Sequence, residues 1–346
     1  MFSMSQPNQK INLAVLGATG NVGHHFLRVL EQRGFPVNNV RLLASSKSVD
    51  KKIKFNKKEY TVELATKDSF KDIDLVLASC GATASKELLP HAVKSGAVVI
   101  DNSSAYRMEK DVPLVVAGIN NHDLKNHKGI IANPNCTTAQ LVVPLKALHD
   151  IAGLKRVVVS TYQSVSGAGK AAMDELTEQS KEYFEKNKYN SKSPNRKFAF
   201  NVIPHIDVFL EDGYTKEEVK VVNESRKILG LPNLRITCTA ARVPVYIGHS
   251  ESINVELEKS VTRGQIVGAL HATPDIIVMD DLSQYPMPID IAGTDPVYVG
   301  RIREDKSNPN TFNLWVVADN LRIGAALNAV RIAEIVVKER LLLTPK

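Results

Sequence analysis

The chain has 346 residues, 43% of them hydrophobic, which is enough to bury a large core and, by the usual domain sizes, to form two domains. Its formal net charge is +7, but residues 47–58 alone carry six lysines against one aspartate. No regular alternation with aromatic residues and no zinc-finger or RNA-binding signature accompanies these lysines, which argues against nucleic-acid binding. We expect a solvated loop there, of a kind that can lie beside a phosphate-bearing ligand.

The sequence also argues against a membrane protein and against a metal site. No apolar run approaches the roughly 18 residues needed to cross a bilayer, and the first residues, MFSMSQPNQK, lack the order of a secretory signal. We therefore expect a cytoplasmic protein. The three cysteines, Cys80, Cys136 and Cys238, are far apart and form no C-x-x-C pair, so each should be a free thiol and no metal is expected.

The chain begins with a pattern that predicts a strand, a turn and a helix. Residues 11–17 are a short apolar run that ends in glycine, and NVGHHFLRVLEQRG then has apolar residues at helical spacing. The turn GATGNVG has G-x-x-G-x-x-G spacing, which allows a backbone to approach a pyrophosphate at a helix N-terminus. The residues of this turn expected to bind a cofactor are Gly17, Thr19, Gly20, Asn21, Val22 and Gly23.

The second strand predicts which dinucleotide is bound. An NAD enzyme would place an acidic residue for the ribose 2′-hydroxyl near the end of VRLLAS, but none is present there. Instead the chain has Ser45, Ser46, Lys47 and Ser48, whose hydroxyls and positive charge suit a 2′-phosphate. We expect NADP as the cofactor rather than NAD.

Further elements extend the same pattern. Apolar strands are predicted at residues 73–79 and 97–100, separated by the helical ASKELLPHAVKSG. This alternation indicates an α/β fold with a Rossmann-like, doubly wound parallel sheet.

The stretch NPNCTTAQLVVPL places Cys136 at or next to a helix N-terminus. Asn-Pro-Asn forces a turn, and Thr137 and Thr138 are good helix-starting residues. The helix dipole there favours a thiolate, whereas Cys80 and Cys238 are expected to be inert small apolar residues. A thiolate beside a nicotinamide can convert an aldehyde, through a thiohemiacetal, into a thioester. The acyl group could then pass to water or to phosphate.

After residue 154 the chain changes character. Longer alternating strands such as LKRVVVSTYQ, ESINVELE and NTFNLWVVA predict an α+β domain with a mixed or antiparallel sheet. The last segment, NLRIGAALNAVRIAEIVVKERLLL, is a strong amphipathic helix.

Several separated motifs now identify a family. GATGNVG, DNSSAYRMEKDVPLVV, NPNCTT, TYQSVSGAG, EEVKVVNESRKILG, RVPVYIGHSE and VVADNLRIGAALNAV stand in the order found in aspartate-β-semialdehyde dehydrogenases, which the chain resembles nearly end to end. The resemblance implies the reversible, NADP-dependent conversion of 4-phospho-L-aspartate into L-aspartate 4-semialdehyde and inorganic phosphate. It places this reaction in the biosynthesis of lysine, threonine, methionine and diaminopimelate.

The resemblance also implies the catalytic residues. Cys136 in NPNCTT would be the nucleophile, and Asn135 beside it would help to hold the substrate or the oxyanion. His249 in GHSE would be the acid and base, a task that suits an imidazole pKa near neutral pH. Gln163 in TYQSVSG would orient the bound acyl group.

The substrate-binding residues follow from the same motifs. Arg242 would grip the α-carboxylate with its planar two-pronged donor, and Glu217 would meet the ammonium group. Lys220 and Arg107 would bind phosphate. Glu217 and Lys220 are one helical turn apart and can face the same pocket, although an isolated pair at this spacing is more often a solvated surface contact.

The remaining implications concern the cofactor and the domains. Ser166, Gly167 and Asn320 would bind NADP, with Asn320 and Gly324 near the nicotinamide. The resemblance implies an NADP-binding domain at residues 1–135, completed by a terminal helix at about 322–346 that packs on it. Residues 136–321 would form the catalytic and dimerisation domain of a homodimer, with the polar residues 177–197 as a surface excursion.

Two other functions remain open from the sequence. N-acetyl-γ-glutamyl-phosphate reductase would use the same thiol chemistry but has little use for a carboxylate such as Glu217 that faces a free ammonium. A non-catalytic NADP-sensing protein would need the glycine turn but not Cys136.

Overall fold

The computed structural model describes residues 10–191 and 193–343. They form two compact units, one made of the described residues up to Pro134 together with those from Ala326 onward, and the other of Asn135–Ala325. The first ten residues, where we expect no secretory signal, lie outside the described residues except for Lys10. Residue 192 of the polar insertion and residues 344–346 of the terminal segment also lie outside them.

The described part of the first unit contains a seven-stranded sheet in the order β3-β4-β2-β1-β5-β6-β7. The strands are β1 (Ile11–Leu16), β2 (Val37–Ala44), β3 (Lys52–Phe55), β4 (Lys58–Leu64), β5 (Leu75–Ala78), β6 (Val98–Asp101) and β7 (Ile130–Ala132). Adjacent strands are parallel except for β3 and β4. The strand order reverses at β1, and ligands of such sheets bind outside the carboxyl ends of the strands at the reversal. The predicted doubly wound sheet is confirmed.

The strand, turn and helix predicted at the start of the chain are also confirmed. β1 is buried along nearly its whole length, as a central parallel strand should be. α1 (Asn21–Arg33) buries Phe26 and Val29 on its apolar face and ends at Gly34, whose φ of 62° is left-handed. α2 (Ala82–Lys94) follows β5, where the sequence predicts a helix.

The lysine-rich residues 47–58 are not a loop throughout, because part of the segment is a strand. Lys52–Phe55 is the edge strand β3, which pairs with β4 through a turn whose residues Asn56 and Lys57 have positive φ. The prediction of a loop over the whole segment is wrong because Phe55 alternates with exposed lysines and is itself buried. Lysines on an edge strand discourage pairing with another chain.

The described part of the second unit contains a six-stranded mixed sheet in the order β11-β12-β13-β10-β8-β9. The elements of this unit are α3 (Cys136–Ala152), β8 (Leu154–Gln163), α4 (Lys170–Lys186), α5 (Lys216–Leu229), β9 (Arg235–Arg242), β10 (His249–Leu257), α6 (Arg263–Ala272), β11 (Ile276–Met279), α7 (Pro288–Ile291), β12 (Val297–Glu304) and β13 (Thr311–Ala318). β8 and β9 are parallel, while β10 is antiparallel to both β8 and β13. α3 packs against β8, β10 and β13. The predicted mixed sheet is confirmed.

The predicted terminal helix is present, with different bounds. A π-helix, Arg322–Ala326, leads into α8 (Leu327–Lys338), which packs against α1, β5 and β6 of the first unit. Residues 177–186 of the polar insertion predicted to lie on the surface form the second half of α4, where Phe184 is largely exposed. Among the described residues, no helix combines the length and apolar character that crossing a membrane requires.

Candidate active site

Cys136 is the first residue of α3, and Asn135 caps that helix. The Asn135 Oδ1 accepts hydrogen bonds from the backbone N–H groups of Thr137 (3.0 Å) and Thr138 (3.3 Å). The predicted placement of Cys136 at a helix N-terminus is confirmed, and the helix dipole there favours a thiolate. Thr137 and Thr138, expected to start the helix, lie instead in its first turn and donate to the cap.

His249 is the partner of this cysteine. Its Nε2 lies 3.2 Å from the Cys136 Sγ, so the two side chains are within hydrogen-bonding distance. His249 is the first residue of β10, whose pairing with β8 and β13 fixes the position of its backbone. Burial lowers the pKa of His249 to about 3, and the positive charge of Arg242 acts in the same direction. The imidazole is therefore neutral at neutral pH.

Ser164 contacts Nδ1 of His249 through its backbone N–H and through its hydroxyl. Its backbone N–H donates to Nδ1 of His249 over 3.1 Å, and because that donor is fixed, the ring hydrogen of this tautomer is on Nε2, facing sulfur. The Ser164 Oγ is also 3.1 Å from Nδ1 and can accept a hydrogen from it in the other tautomer. Ser164 thus offers a partner to either neutral form of the ring.

Arg242 ends β9 next to Gln163, with which it is paired across the parallel strands β8 and β9. The Arg242 Nη1 donates to the Ser164 carbonyl over 2.7 Å. Burial lowers the pKa of this guanidinium, opposed by the nearby charges of Glu217 and Cys136, but an arginine stays charged at any working pH. A Cβ on Gly167 would lie 3.2 Å from Arg242 Nη1, so the glycine leaves room beside it.

Glu217 lies in the first turn of α5 and is buried. Its Oε1 accepts hydrogen bonds from Nδ2 of Asn135 (2.9 Å) and from Nε2 of Gln163 (3.1 Å). Burial alone would raise the pKa of Glu217, but the charge of Lys220 and these hydrogen bonds outweigh it, and the pKa is lowered. Three predicted site residues, Asn135, Gln163 and Glu217, are thus joined directly.

Lys220 lies one turn further along α5, and its ammonium contacts two carboxylates. The Nζ lies 3.2 Å from Glu217 Oε2 and 2.6 Å from Asp207 Oδ2. Burial would lower the pKa of Lys220, but the two carboxylates prevail and raise it. The contact with Glu217 is therefore a half-buried ion pair and not a solvated surface contact.

Asn320 accepts several hydrogen bonds from residues next to His249. Its Oδ1 accepts from Oγ of Ser164 (3.1 Å), Oγ of Ser166 (3.2 Å) and the backbone N–H of Gly248 (2.9 Å). The π-helix that follows brings Gly324 against the nucleophile, where a Cβ would lie only 2.7 Å from the Cys136 Cβ. A side chain at Gly324 would displace Cys136.

The second unit therefore assembles a set of groups with complementary chemistry. Cys136 can attack a carbonyl carbon, and the Nε2 of His249 can hold a proton beside the sulfur. Arg242 offers charged donors to a carboxylate, and Glu217 offers a charge to an ammonium. This set suits a carbonyl compound that is also an amino acid.

The glycine turn of the first unit has the close approaches that its spacing predicts. Gly17 has a φ of 86°, and a Cβ there would lie 2.3 Å from the Ser79 carbonyl oxygen. A Cβ on Gly23 would lie 2.3 Å from the Gly17 oxygen, and Gly20 precedes the first residue of α1. Ser79 follows β5, so two loops at the carboxyl ends of neighbouring strands meet at the reversal point of the sheet.

The loop after β2 carries the residues expected at a 2′-phosphate. Ser45, Ser46 and Lys47 are exposed there, and Ser46–Ser48 forms a short 3-10 helix. Thr19 of the glycine turn donates to Ser48 through a hydrogen bond of 3.1 Å between the two hydroxyls. This contact joins the two loops expected to bind the cofactor.

Arg107 belongs to the first unit and is buried. Its Nε donates to the Asn133 carbonyl and its Nη2 to the Asn102 carbonyl, each over 2.9 Å. These bonds fix the guanidinium to the backbone that leads to Pro134.

Sequence reasoning missed four residues of the site. They are Gln140, Ser164, Asp207 and Glu224. The Glu224 Oε2 accepts the backbone N–H of Asn135 over 2.6 Å, next to the nucleophile. Ser164 stands within the motif TYQSVSG and could have been singled out from it, whereas Asp207 and Glu224 carry no local signal.

The two other cysteines differ from Cys136 in their surroundings. Burial raises the pKa of Cys80 and that of Cys238, and Cys238 is also close to carboxylates. Both are therefore poor nucleophiles compared with a cysteine at a helix N-terminus. Within residues 10–191 and 193–343, no group of three or more His, Cys, Asp or Glu residues could hold a metal ion.

Comparison with known proteins places this chain in a family. The family model for the semialdehyde dehydrogenase NAD binding domain matches residues 12–127, and that for the semialdehyde dehydrogenase dimerisation domain matches residues 145–323. The aspartate-semialdehyde dehydrogenase of Aquifex aeolicus (strain VF5) is 52% identical over 336 residues, which cover 95% of this chain and 99% of that protein.

Solved structures agree. The crystal structure of aspartate semialdehyde dehydrogenase II from Vibrio cholerae, complexed with ASA, has a TM-score of 0.93 and 42% identity and covers 96% of this chain and 99% of that chain. The aspartate semialdehyde dehydrogenase from Candida albicans, solved with NADP, has a TM-score of 0.77 and 26% identity, and covers 96% of this chain and 99% of that chain. The chain belongs to the aspartate-semialdehyde dehydrogenase family.

Proposed function

We propose that the protein is an NADP-dependent aspartate-semialdehyde dehydrogenase that interconverts 4-phospho-L-aspartate and L-aspartate 4-semialdehyde through a thioester on Cys136. The observation that carries the proposal is the 3.2 Å contact between Cys136 Sγ and His249 Nε2 at the N-terminus of α3. Arg242 and Glu217 lie in the same unit, and their opposite charges suit the two ends of an amino acid.

In the biosynthetic direction, the Cys136 sulfur bonds to the acyl carbon of 4-phospho-L-aspartate. The bond between that carbon and the phosphate oxygen breaks, which releases inorganic phosphate and leaves the thioester. NADPH, when bound, supplies the hydride that reduces this thioester, and NADP accepts it in the reverse reaction. Cys136 leaves again as a thiolate when the carbon–sulfur bond breaks and the aldehyde forms.

His249 serves the sulfur and the substrate oxygen in turn. The neutral ring with its hydrogen on Nε2 donates to sulfur and then to the oxyanion of the tetrahedral intermediate. The role of base towards the thiol requires the other tautomer, in which Nδ1–H is donated to the Ser164 Oγ and the bond from the Ser164 backbone N–H is given up. Because Ser164 can partner both forms, His249 can act as the acid and base inferred from its motif.

Four side chains bind the amino acid. Arg242 pairs with the α-carboxylate and Glu217 with the α-ammonium. Asn135 and Gln163 hold the Glu217 carboxylate through their amide groups, and the remaining donors of these amides can orient the acyl oxygen.

Phosphate is bound by Lys220 and Arg107 in this proposal. Lys220 keeps its positive charge because the carboxylates beside it raise its pKa. The Arg107 guanidinium is held by two backbone carbonyls, which leaves it rigid, and a rigid planar donor is well suited to phosphate.

NADP is the proposed cofactor because the first unit offers one loop suited to its pyrophosphate and another suited to its 2′-phosphate. Gly17 and Gly23 of the glycine turn have no space for a side chain. The turn brings the backbone of α1 to the carboxyl edge of the sheet, where a pyrophosphate can bind. The loop after β2 offers exposed Ser45, Ser46 and Lys47 and no acidic residue at the expected ribose position. Ser166, Gly167 and Asn320 are proposed to lie on the nicotinamide side.

The wider assignment follows the family. We propose a cytoplasmic homodimer formed through the second domain, which matches a family model described as a dimerisation domain. The proposed domains are residues 1–135 with about 322–346 for NADP, and residues 136–321 for catalysis and dimerisation. The product would feed the synthesis of lysine, threonine, methionine and diaminopimelate.

The test is an assay of NADP reduction with phosphate and either L-aspartate 4-semialdehyde or N-acetyl-L-glutamate 5-semialdehyde. We expect phosphate-dependent turnover with the first compound, and loss of nearly all turnover in C136S. Preference for the acetylated glutamate compound would identify the related reductase instead. A non-catalytic sensor would instead bind NADP, turn over neither aldehyde, and keep its affinity for NADP after Cys136 is alkylated.

A further inference from the structure

Glu251 is a buried acid for which the proposed mechanism has no use. It lies two residues after His249 on the same face of β10, opposite Thr161 of β8 and Val316 of β13. The side chain has no exposed surface, and neither carboxyl oxygen has a hydrogen-bond partner among the described residues. A buried carboxyl group without a partner is costly, so its protonation state needs an explanation.

Gln140 is the polar neighbour of this acid. It lies on α3, one turn after the nucleophile, and its Nε2 donates to the backbone carbonyl of His249 over 3.2 Å. Its Oε1 is buried and has no donor among the described residues. Burial raises the pKa of Glu251 well above its usual value, and among the described residues the Gln140 side chain opposes this shift, more weakly, as a nearby hydrogen-bonding group.

The unpaired atoms of these two residues are complementary in only one protonation state. An ionised Glu251 offers acceptors alone, so the second hydrogen of the Gln140 Nε2 can serve only one of its oxygens, and the other oxygen and the Gln140 Oε1 would lack a donor. A neutral carboxylic acid offers one O–H, which can be donated to Oε1, while its carbonyl oxygen accepts the second hydrogen of Nε2. Two hydrogen bonds then close a ring between acid and amide, and all three orphaned atoms are satisfied.

We propose that Glu251 is a neutral carboxylic acid that pairs with Gln140 through two hydrogen bonds, and that this pair positions His249 against Cys136. The inference rests on the proposed role of the Cys136–His249 pair. Gln140 shares a helix with Cys136, and Glu251 shares a strand with His249. Fixing the Gln140 amide therefore ties the helix that carries the nucleophile to the strand that carries its partner.

His249 is then held at two points. The Ser164 N–H fixes its ring at Nδ1, and the Gln140 amide fixes its backbone carbonyl. Glu251 touches neither substrate nor sulfur, so it is a positioning residue. Its contribution is to keep the Gln140 amide in the orientation that leaves one N–H for His249.

The test compares Glu251→Gln with Glu251→Leu. Glutamine can form the same two hydrogen bonds as a neutral acid, so E251Q should keep kcat within about twofold. Leucine can form neither, so E251L should lower kcat about tenfold or more with little change in KM, because small misplacements of catalytic groups are costly. The rate of Cys136 alkylation by iodoacetamide should fall in E251L and not in E251Q. The matched control is Ile253→Ala, two residues along the same buried face, which should lower the melting temperature without changing either rate.

A spectroscopic measurement tests the protonation state itself. The infrared difference spectrum between wild type and E251Q in neutral buffer should show the carbonyl stretch of a protonated carboxylic acid, identified by its shift on ¹³C labelling of glutamate. A band of ionised carboxylate, or an E251Q enzyme as impaired as E251L, would overturn the proposal, and so would an E251L enzyme that turns over and alkylates at wild-type rates. Neither infrared nor alkylation requires turnover, so these results stand apart from any failure of the proposed reaction.

Discussion

Gln163 and Arg242 lie side by side at the carboxyl ends of the parallel strands β8 and β9, and the backbone N–H of Val243 donates to the Gln163 carbonyl over 3.0 Å. This pairing brings together two motifs that are far apart in the chain. Ser164, which follows β8, donates to the imidazole of His249. Gly248, at the end of the loop that follows β9, donates to Asn320, which also accepts from the Ser164 Oγ. The position of Arg242 is therefore set by the sheet and not by a flexible loop.

Arg242→Lys should raise KM for L-aspartate 4-semialdehyde on the order of tenfold or more, because lysine cannot make paired hydrogen bonds to a carboxylate. It would also lose the bond from Nη1 to the Ser164 carbonyl. Steady-state kinetics with saturating NADP and phosphate measure the effect. An R242K enzyme with unchanged KM would remove Arg242 from the substrate site.

Asp207→Asn should increase the affinity for phosphate. Asp207 holds Lys220 through a partly exposed contact of 2.6 Å, so its carboxylate competes with a bound anion for the ammonium. The φ of 68° at this position is tolerated by asparagine, so the backbone should not change. We expect KM for phosphate to fall by roughly two- to fivefold, given the usual strength of such pairs.

Lys220→Ala provides the opposite control, because it should raise KM for phosphate and abolish the effect of D207N in the double variant. Equal KM values for phosphate in wild type and D207N would show that Lys220 does not bind this anion.

Gly167→Ala should impair the site with little loss of fold stability. The added methyl group would lie 3.2 Å from Arg242 Nη1 and 3.4 Å from Cε1 and Nε2 of His249, so it narrows the space that the substrate is proposed to use. KM for the aldehyde should rise and kcat should fall. The matched control is Gly264→Ala in α6, where a Cβ has no contact closer than 3.8 Å. G264A should keep full activity and gain up to about 1 kcal/mol of stability.

The local features of this site could be predicted from the sequence, whereas most contacts among them could not. The Asn-Pro-Asn turn places Cys136 at a helix N-terminus, and the glycine spacing identifies the dinucleotide turn, because both depend on neighbouring residues. Asp207 reaches Lys220, and Glu224 reaches the backbone of Asn135, through packing of segments distant in sequence. A single sequence carries no pattern for such contacts.

The lysine-rich segment shows the other limit of sequence reasoning. Its charge suggests a solvated loop, yet a single buried residue, Phe55, is enough to anchor an edge strand. The high charge of the segment correctly predicts that its lysines are exposed. It draws attention away from the alternation of lysines with apolar residues in β3, which predicts a strand. The pairing proposed for Glu251 could not be predicted from the sequence either, because one acid in an apolar strand has no local signature.

The buried His249 should make the protein less stable in acid. Its folded pKa is about 3 and its unfolded pKa about 6.5, so the unfolded chain binds a proton that the folded chain excludes. Stability from the neutral ring is therefore fully present above the unfolded value and is lost as the pH falls between these two values, by up to about 1.4 kcal/mol per pH unit. Urea unfolding of wild type and His249→Gln across this range measures the difference.

The free energies of unfolding of wild type and H249Q should converge or cross as the pH falls, since glutamine takes up no proton. His122→Gln, at an exposed position, controls for the loss of an imidazole as such. Parallel curves for wild type and H249Q would contradict a neutral buried His249.

The central claim is that Cys136 carries the acyl group. The most direct measurement is intact-protein and peptide mass spectrometry of the enzyme after incubation with L-aspartate 4-semialdehyde and NADP in the absence of phosphate, followed by acid quenching. We predict one aspartyl adduct on the peptide that contains Cys136, removed when phosphate is added before the quench. An adduct on Cys80 or Cys238, or NADP reduction by C136S at the wild-type rate, would contradict the account.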